Sequence, residues 1–283
     1  MGKQRNIYKL NFKDLQKVRT QKIFFDKELN KEKEELKIER SKILEAQESI
    51  RLKEKRLDNL LHELRHINGG LKDSIDLIDF EDYPNLRDIW AQANLLSIRM
   101  LMYDFEANPS ILTTTRKSSV PIYKRIDKVA KCFKHHPSYR KTPIFLEGET
   151  YLSFLATDIL EIGFYIILHN AVKYAFPDTI IKIKFIEDRG DLITNPKLTV
   201  EFTNEGFIPS LEEIPHLFNR GYRGMNSKDI KGTGIGLYSL KKICDSSDVM
   251  VTIKLLPDPN HDNKGQFTIS LVFENCQLPL QIG

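Results

Sequence analysis

Cysteine is scarce in this chain of 283 residues, and the placement of the three cysteines excludes several kinds of protein. Cys132, Cys244 and Cys276 are far apart, odd in number and without the spacing of a metal site. We therefore expect neither a secreted disulfide framework nor a cysteine-ligated zinc site. A reducing, cytosolic environment fits best.

Long apolar runs and charge of one sign are lacking as well. No stretch has the length needed to cross a bilayer, and the N-terminus lacks the apolar core of a signal peptide. We expect a soluble, cytoplasmic protein without a membrane span. The net charge is only +4 and the charges are interleaved, so no nucleic-acid partner is expected.

The first half of the chain has a regular apolar stripe among charged residues. An apolar residue recurs at every seventh position, which is typical of the a positions of a coiled coil: Leu29, Leu36, Ile43, Ile50, Leu57, Leu64, Leu71 and Ile78. The stripe is narrow up to residue 56 and wider beyond it, with Leu60 and Ile67 added. We predict an N-terminal segment (1–28), a coiled coil (29–56) and homodimerisation.

A second amphipathic pattern follows a predicted turn at residues 79–84. It begins at Leu86 and ends before Asn108 and Pro109, so residues 57–108 should form a helical hairpin. Two such hairpins would pair into a dimeric four-helix bundle. The alternative is a hairpin that serves only to join two chains.

Two histidines lie on the outer face of the first helix of this hairpin. If Leu57 and Leu64 occupy a positions, His62 and His66 point away from the bundle and are not needed for packing. Glu63 is placed to hold the imidazole tautomer of His62 and take its proton. Gly69 and Gly70 follow within the helical pattern and predict a bend or a loosened turn.

The second half of the chain predicts an α+β sandwich after a linker at 109–119. Helical patterns lie at 120–133 and 156–176, and β-branched strand patterns lie at 143–146, 179–186, 198–203, 250–255 and 267–273. Helices alternating with strands, with one sheet face uncovered, favour this architecture. We place the domain at 120–275 and a tail at 276–283.

A glycine-rich turn stands near the end of this domain. In Lys231–Ile243 (KGTGIGLYSLKKI), Gly232, Gly234 and Gly236 alternate with Thr233 and Ile235, and helical spacing begins at Leu237. Glycines allow a close approach of the backbone, and a helix N-terminus attracts anions, so the turn suits phosphate. A purely structural turn is the alternative.

Other segments supply side chains that fit a phosphate compound. Asn170 offers a hard oxygen ligand suited to Mg²⁺, Lys173 is a point charge for phosphate, and Tyr174 lies beside them. Asn204 and Gly206 follow a strand, where the edge of a base could bind. Arg220 and Arg223 flank glycines ahead of a polar run, residues 225–231, which is typical of a mobile lid.

In this order and at this spacing, these elements resemble the N box, first glycine box, F box and second glycine box of histidine kinases. The resemblance covers about residues 120–273 and implies the Bergerat-fold ATPase superfamily (GHKL). It implies that Mg²⁺-ATP binds here, with Asn170 on the metal. The ATP-binding residues would be Asn170, Lys173, Tyr174, Asn204, Gly206, Arg220, Arg223, Gly232, Thr233, Gly234, Ile235, Gly236 and Leu237.

The resemblance extends to the sequence HELR at residues 62–65, which is similar to a phosphoacceptor motif. It implies that His62 is the acceptor, that Glu63 is its general base, and that an aspartate of a response-regulator receiver domain takes the phosphoryl group. Residues 1–28 are too few for a ligand-binding domain, so the stimulus would arrive through the coiled coil, through the nucleotide, or from a partner such as a separate sensor protein.

Several positions depart from the family pattern. Asn204 stands where an acidic residue usually contacts adenine, Phe207 stands near the place of a glycine, and Ile166 replaces an asparagine. His66 and Ile67 replace the residues associated with phosphatase activity. The alternatives are a nucleotide-binding pseudokinase or dimeric scaffold, and a GHKL-type ATPase or protein kinase with another acceptor.

Overall fold

The computed structural model describes residues 12–78, 83, 85–135, 142–189, 195–225 and 232–278, apart from the side chains of residues 12–15 and 262. Most of the predicted turn at 79–84, most of the predicted lid and the end of the tail lie outside these residues. The described chain divides into two compact units, Met1–Glu63 and Leu64–Gly283.

The first unit consists of one helix in its described part. Helix α1 (Phe12–Asp76) begins in this unit and ends in the next. The stripe residues of the first unit are all exposed to solvent, namely Leu29, Leu36, Ile43, Ile50 and Leu57. The predicted helix is confirmed, and its apolar stripe has no cover within the described part of this unit.

The second unit opens with the predicted helical hairpin, made by the end of α1 and helix α2 (Leu86–Ala107). The side-chain amide of Asn68 donates to the carbonyl of Ala93 at 2.9 Å and to Ser97 Oγ at 2.8 Å. Arg65 pairs with Asp104. The contacts run antiparallel, and α1 continues as a helix through Gly69 and Gly70.

A five-stranded sheet forms the centre of the second unit, in the order β2-β4-β5-β7-β6. Its strands are β2 (Ile144–Glu147), β4 (Ile181–Asp188), β5 (Lys197–Phe207), β6 (Val249–Asp258) and β7 (His261–Phe273). Strand β2 pairs parallel with β4, and the other pairs are antiparallel. A separate antiparallel pair joins β1 (Ser118–Pro121) to β3 (Ser153–Ala156).

Three helices pack on the sheet and against one another: α4 (Ile122–His135), α5 (Leu160–Tyr174) and α6 (Gly236–Ser246). The residues of α5 from Leu160 to Leu168 are all buried, so this helix is enclosed on every side over its first turns. Helix α2 packs on α4 and α5, where Arg99 Nε donates to Tyr165 Oη at 3.1 Å. The α+β sandwich is confirmed.

The structure corrects several predicted boundaries. Val120 and Pro121 belong to β1, so the helix begins at Ile122 instead of Val120. The predicted linker contains a short helix, α3 (Ile111–Thr114), and the predicted helix at 156–176 starts only at Leu160. Strand β3 was not predicted, because its four residues carry too short a pattern.

The segment 204–207 also differs from its prediction. We expected it to follow the strand, but β5 includes it, and Asn204 and Gly206 pair with Phe267 and Gly265 of β7. A polar residue and a glycine are not typical of a strand, so the sequence pattern did not indicate that β5 continues through them. A short 3₁₀ helix (Leu211–His216) comes next. No helix in the described ranges is both long and apolar enough to cross a membrane.

Candidate functional site

A cavity of about 360 Å³ lies between α5, the sheet and the start of α6. It is lined by side chains of α5, β5 and β7, by the segment before the glycine-rich turn, and by the turn itself. Among the residues predicted for the site, the cavity wall includes Asn170, Lys173, Tyr174, Asn204, Arg223, Gly232, Thr233, Gly234, Gly236 and Leu237. Residues from four distant parts of the chain therefore meet here.

The last two turns of α5 face the glycine-rich turn. A methyl group added at Gly232 would lie 2.6 Å from Lys173 Nζ, and one at Gly236 would lie 3.9 Å from Asn170 Nδ2. Lys173 Nζ also lies 5.0 Å from the centre of the Tyr174 ring. The ammonium group and the amide are thus held beside the backbone that begins α6.

The glycine-rich turn is fixed by backbone contacts. Gly234 has a φ of 70°, which an L side chain rarely adopts, and a methyl group there would lie 2.6 Å from the carbonyl oxygen of Tyr222. The N–H of Gly221 donates to the carbonyl of Gly234 at 3.0 Å. Helix α6 then begins at Gly236, as the sequence predicted, so its free N–H groups open beside the cavity.

The charged side chains among the described lining residues of the cavity are all cationic. Lys173 and Arg223 line it, and none of its described lining residues is an aspartate or glutamate. Burial lowers the pKa of His169, and the charges of Arg99 and Lys173 lower it further. The wall therefore favours an anionic ligand near the glycine-rich turn.

The part of the cavity wall that β5 and β7 supply is apolar apart from one amide. Phe202, Phe267 and Ile269 line it, and Asn204 stands among them with 5% of its surface exposed. Phe207 also lines the cavity and packs edge-on against Phe176, with 5.0 Å between ring centres. A flat aromatic base fits beside these apolar side chains, and the cationic residues of the same cavity suit phosphates.

Comparison with known proteins gives a match to part of the second unit. Residues 158–275 match the family model described as "Histidine kinase-, DNA gyrase B-, and HSP90-like ATPase". We call these residues the ATPase domain, after the family that they resemble. The predicted resemblance to the ATP-binding domain of histidine kinases is confirmed.

One curated protein similar to this chain is a sensor histidine kinase. The chain is 37% identical over 95 residues to the sensor histidine kinase YkoH of Bacillus subtilis (strain 168), an alignment that covers 32% of this chain and 19% of that protein. The chain thus matches about a fifth of the length of that curated relative.

Solved structures of histidine kinases are similar at low identity. A mycobacterial sensor histidine kinase, MprB, has a TM-score of 0.47 at 17% identity, covering 58% of this chain and 99% of that chain. The Acinetobacter baumannii histidine kinase AdeS has a TM-score of 0.45 at 17% identity, covering 76% of this chain and 98% of that chain.

Three predicted residues of the ATPase domain do not line the cavity: Gly206, Arg220 and Ile235. A methyl group at Gly206 would lie 2.1 Å from the carbonyl oxygen of Tyr174, so the glycine lets α5 end against β5. Arg220 is exposed beside the turn. Ile235 precedes α6 as its N-terminal cap residue.

The sequence analysis missed a carboxylate that holds the segment before the glycine-rich turn. Glu213 accepts hydrogen bonds from Tyr222 Oη at 3.1 Å, from the N–H of Met225 at 2.8 Å and from the N–H of Ser210 at 2.9 Å. Burial alone would raise the pKa of Glu213, but these hydrogen bonds outweigh it and lower the pKa. The capping-box spacing of Ser210 and Glu213 was the available signal.

The sequence analysis also missed Met102 of α2, which lines the cavity together with Tyr165 and His169 of α5. Tyr165 and His169 stack at 5.6 Å between ring centres, and Arg99 of α2 bonds to Tyr165. The helical hairpin therefore forms part of the cavity wall. No local pattern could indicate this contact, because it depends on how α2 packs.

The residues present fit magnesium carried by a nucleotide. The side-chain amide of Asn170 lines the cavity and makes no hydrogen bond with the rest of the described chain. Mg²⁺ commonly takes few protein ligands and completes its shell with phosphate oxygens and water. No cluster of three or more His, Cys, Asp or Glu side chains that could hold a metal occurs within the described residues.

The predicted phosphoacceptor lies in the other unit. His62 and Glu63 are exposed on α1, and His66, in the second unit, is exposed as well. The stripe residues Leu57 and Leu64 are exposed as well, so the outward orientation of the two rings relative to a bundle stays a prediction. Both histidines are accessible to solvent and to another protein.

Proposed function

We propose that the protein is an ATP-dependent autophosphorylating histidine kinase of two-component signal transduction. The observation that supports this best is the convergence of Asn170, Lys173, Arg223 and the glycine-rich turn on one cavity of a histidine kinase-type ATPase domain. In this proposal the triphosphate lies beside the cationic residues and the adenine lies beside Asn204.

Lys173, Arg223 and the N–H groups at the start of α6 bind and orient the phosphates. Phosphoryl transfer requires little covalent help from the protein, because positioning and neutralisation of charge supply most of the rate. Mg²⁺ held by Asn170, when bound, would neutralise charge on the phosphate oxygens. The absence of acidic groups among the described lining residues also favours binding of the anionic triphosphate.

His62 is the proposed acceptor. A ring nitrogen of His62 forms a bond to the γ-phosphorus, the bond between that phosphorus and the bridging oxygen breaks, and ADP leaves. Glu63 takes the ring proton. The phosphoryl group is then transferred to an aspartate of a response-regulator receiver domain, a separate protein.

The proposed partner of one chain is a second copy of it. The exposed stripe of α1 is a row of large apolar side chains at coiled-coil spacing, which association with an identical helix would cover. The stimulus would arrive along this coiled coil, through the nucleotide, or from a separate sensor protein.

Labelling with γ-labelled ATP and Mg²⁺ tests the proposed reaction. The wild type should acquire a label that acid removes and alkali preserves. His62→Gln should lose the label and His66→Gln should keep it. Both side chains are exposed, so neither variant should change the folded ATPase domain, and equal thermal unfolding of the three proteins is the control.

Two other outcomes would replace this function. If ATP binds but no label appears on any residue, the protein is a nucleotide-binding pseudokinase or scaffold, a function favoured by the apolar Ile166 in the cavity wall. If the label survives acid and His62→Gln retains it, the acceptor is a hydroxyl side chain of this or another protein.

A further inference from the structure

Asn204 interrupts an otherwise apolar row. The side chains of β5 alternate, and the buried row contains Leu198, Val200 and Phe202 before it reaches Asn204. Asn204 is 5% exposed and lines the cavity, and its side chain forms no hydrogen bond with any other residue that the structure describes. Its amide is therefore available to a ligand.

Because Asn204 lines the cavity, a ligand bound there can form hydrogen bonds with its amide. Asn204 pairs in the sheet with Phe267, and both residues line the cavity together with Phe202. Lys173 and Arg223 belong to the same wall. Among the described Asn, Asp, Gln and Glu side chains of β5 and β7, only Asn204 lines the cavity.

An amide and a carboxylate recognise different base edges. A side-chain amide has one acceptor and one donor group, whereas an ionised carboxylate has acceptors only. Adenine presents an N–H donor at its 6-amino group and an acceptor at N1. Guanine and hypoxanthine present the reverse, an acceptor at O6 and a donor at N1. An amide can match either edge if it turns by half a rotation. A carboxylate oxygen that faces position 6 accepts from the 6-amino group and is repelled by O6, so a contact at that position distinguishes the two bases.

We propose that Asn204 makes this site accept both 6-amino and 6-oxo purine nucleoside triphosphates. The inference rests on the proposed nucleotide site and adds its base specificity. ATP and a 6-oxo purine triphosphate bind in the same place, with the Asn204 amide in opposite orientations. Asn204 is thus a specificity-determining residue, and a carboxylate at this position would select the 6-amino base.

Equilibrium binding of ATP and ITP to the full chain tests this inference. ITP isolates recognition at position 6, because hypoxanthine lacks the 2-amino group of guanine. The wild type should bind ATP and ITP within about tenfold of each other, since a matched pair of hydrogen bonds distinguishes bases by roughly tenfold or more. A wild-type preference for ATP over ITP above about tenfold overturns the inference.

The variant Asn204→Asp should keep ATP binding and lose at least about tenfold in affinity for ITP. Lys173→Ala is the matched control, because it should weaken both nucleotides and leave their ratio unchanged. If Asn204→Asp does not fold, Asn204→Ala takes its place and should weaken both nucleotides. An unchanged ratio of ATP to ITP in Asn204→Asp, or unchanged ITP affinity in Asn204→Ala, contradicts the proposal.

These measurements separate the inference from the proposed kinase. If nucleotides bind with the expected ratios but His62 is not labelled, the kinase is wrong and the base specificity stands. If His62 is labelled by ATP and ITP does not compete, the kinase stands and the base specificity is wrong. Failure of every triphosphate to bind overturns both.

Discussion

The apolar stripe of α1 and the inward row of β5 are equally regular in the sequence, but only one is covered in the structure. Ile50 of the stripe is 56% exposed, whereas Phe202 of the strand is 2% exposed. The strand lies between neighbouring strands and below α5, and the described part of the first unit is a single helix. A periodic pattern of apolar residues thus identifies which face of a helix or strand is to be buried. It does not identify the element that buries that face.

The largest effect is expected from truncating the covered region. Phe273→Ala removes a fully buried ring that packs against Phe154 at 5.3 Å, so it should lower the stability of the ATPase domain by about 3–5 kcal/mol. Leu36→Ala truncates an exposed stripe residue and should change the unfolding of that domain by less than about 0.5 kcal/mol. Denaturant unfolding measures both values, and equal losses would erase the distinction.

Negative charges introduced into the apolar stripe of α1 should weaken self-association. The double variant Ile43→Asp and Ile50→Asp places carboxylates in the proposed seam, where self-association would have to remove them from water. We expect the dissociation constant of the dimer to rise at least about a hundredfold, which is about 3 kcal/mol.

The control for the stripe is the double variant Ser41→Asp and Lys55→Asp on the outer face of the same helix, which should leave self-association nearly unchanged. Sedimentation velocity over a range of concentrations distinguishes the variants. If both double variants sediment like the wild type, the stripe is not a self-association surface.

Glycine gives a third contrast between the two regions. Gly206→Ala brings a methyl group to 2.1 Å from the Tyr174 carbonyl, and such overpacking should destabilise the ATPase domain by about 1–3 kcal/mol. Gly69→Ala meets nothing within 4 Å and replaces glycine in a helix, so it should stabilise the helix by about 0.5–1 kcal/mol. Thermal unfolding of the two variants should therefore shift in opposite directions, and shifts of the same sign would contradict this account.

The smallest effect concerns His169 in the cavity wall. Burial lowers its pKa, with Arg99 and Lys173 adding to the effect, so the unfolded chain binds its proton more readily than the folded protein. The contribution of neutral His169 to stability is full above the ordinary pKa of 6.5 and is lost as the pH falls below it. Thermal unfolding from about pH 8 to about pH 5.5 should decline more in the wild type than in His169→Gln. Parallel declines would show that His169 does not contribute.

Part of the site was predictable because its signals are local. Asn170 and Lys173 share one helix end, and the glycines before α6 are a short, continuous pattern. Arg220 and Gly206 do not line the cavity. Their orientation depends on a turn and on the approach of α5 to β5, and neither is determined by neighbours in the sequence.

The sequence alone determined the heptad stripe, the strands with clear alternation and the glycine-rich start of α6, because each depends on the spacing of nearby residues. The tertiary structure decided which residues surround the cavity. Met102 enters it through the packing of α2 on α5, and Glu213 holds Tyr222 and Met225 across a turn. Such contacts join residues distant in the chain, so their geometry exists only once the helices have packed on the sheet.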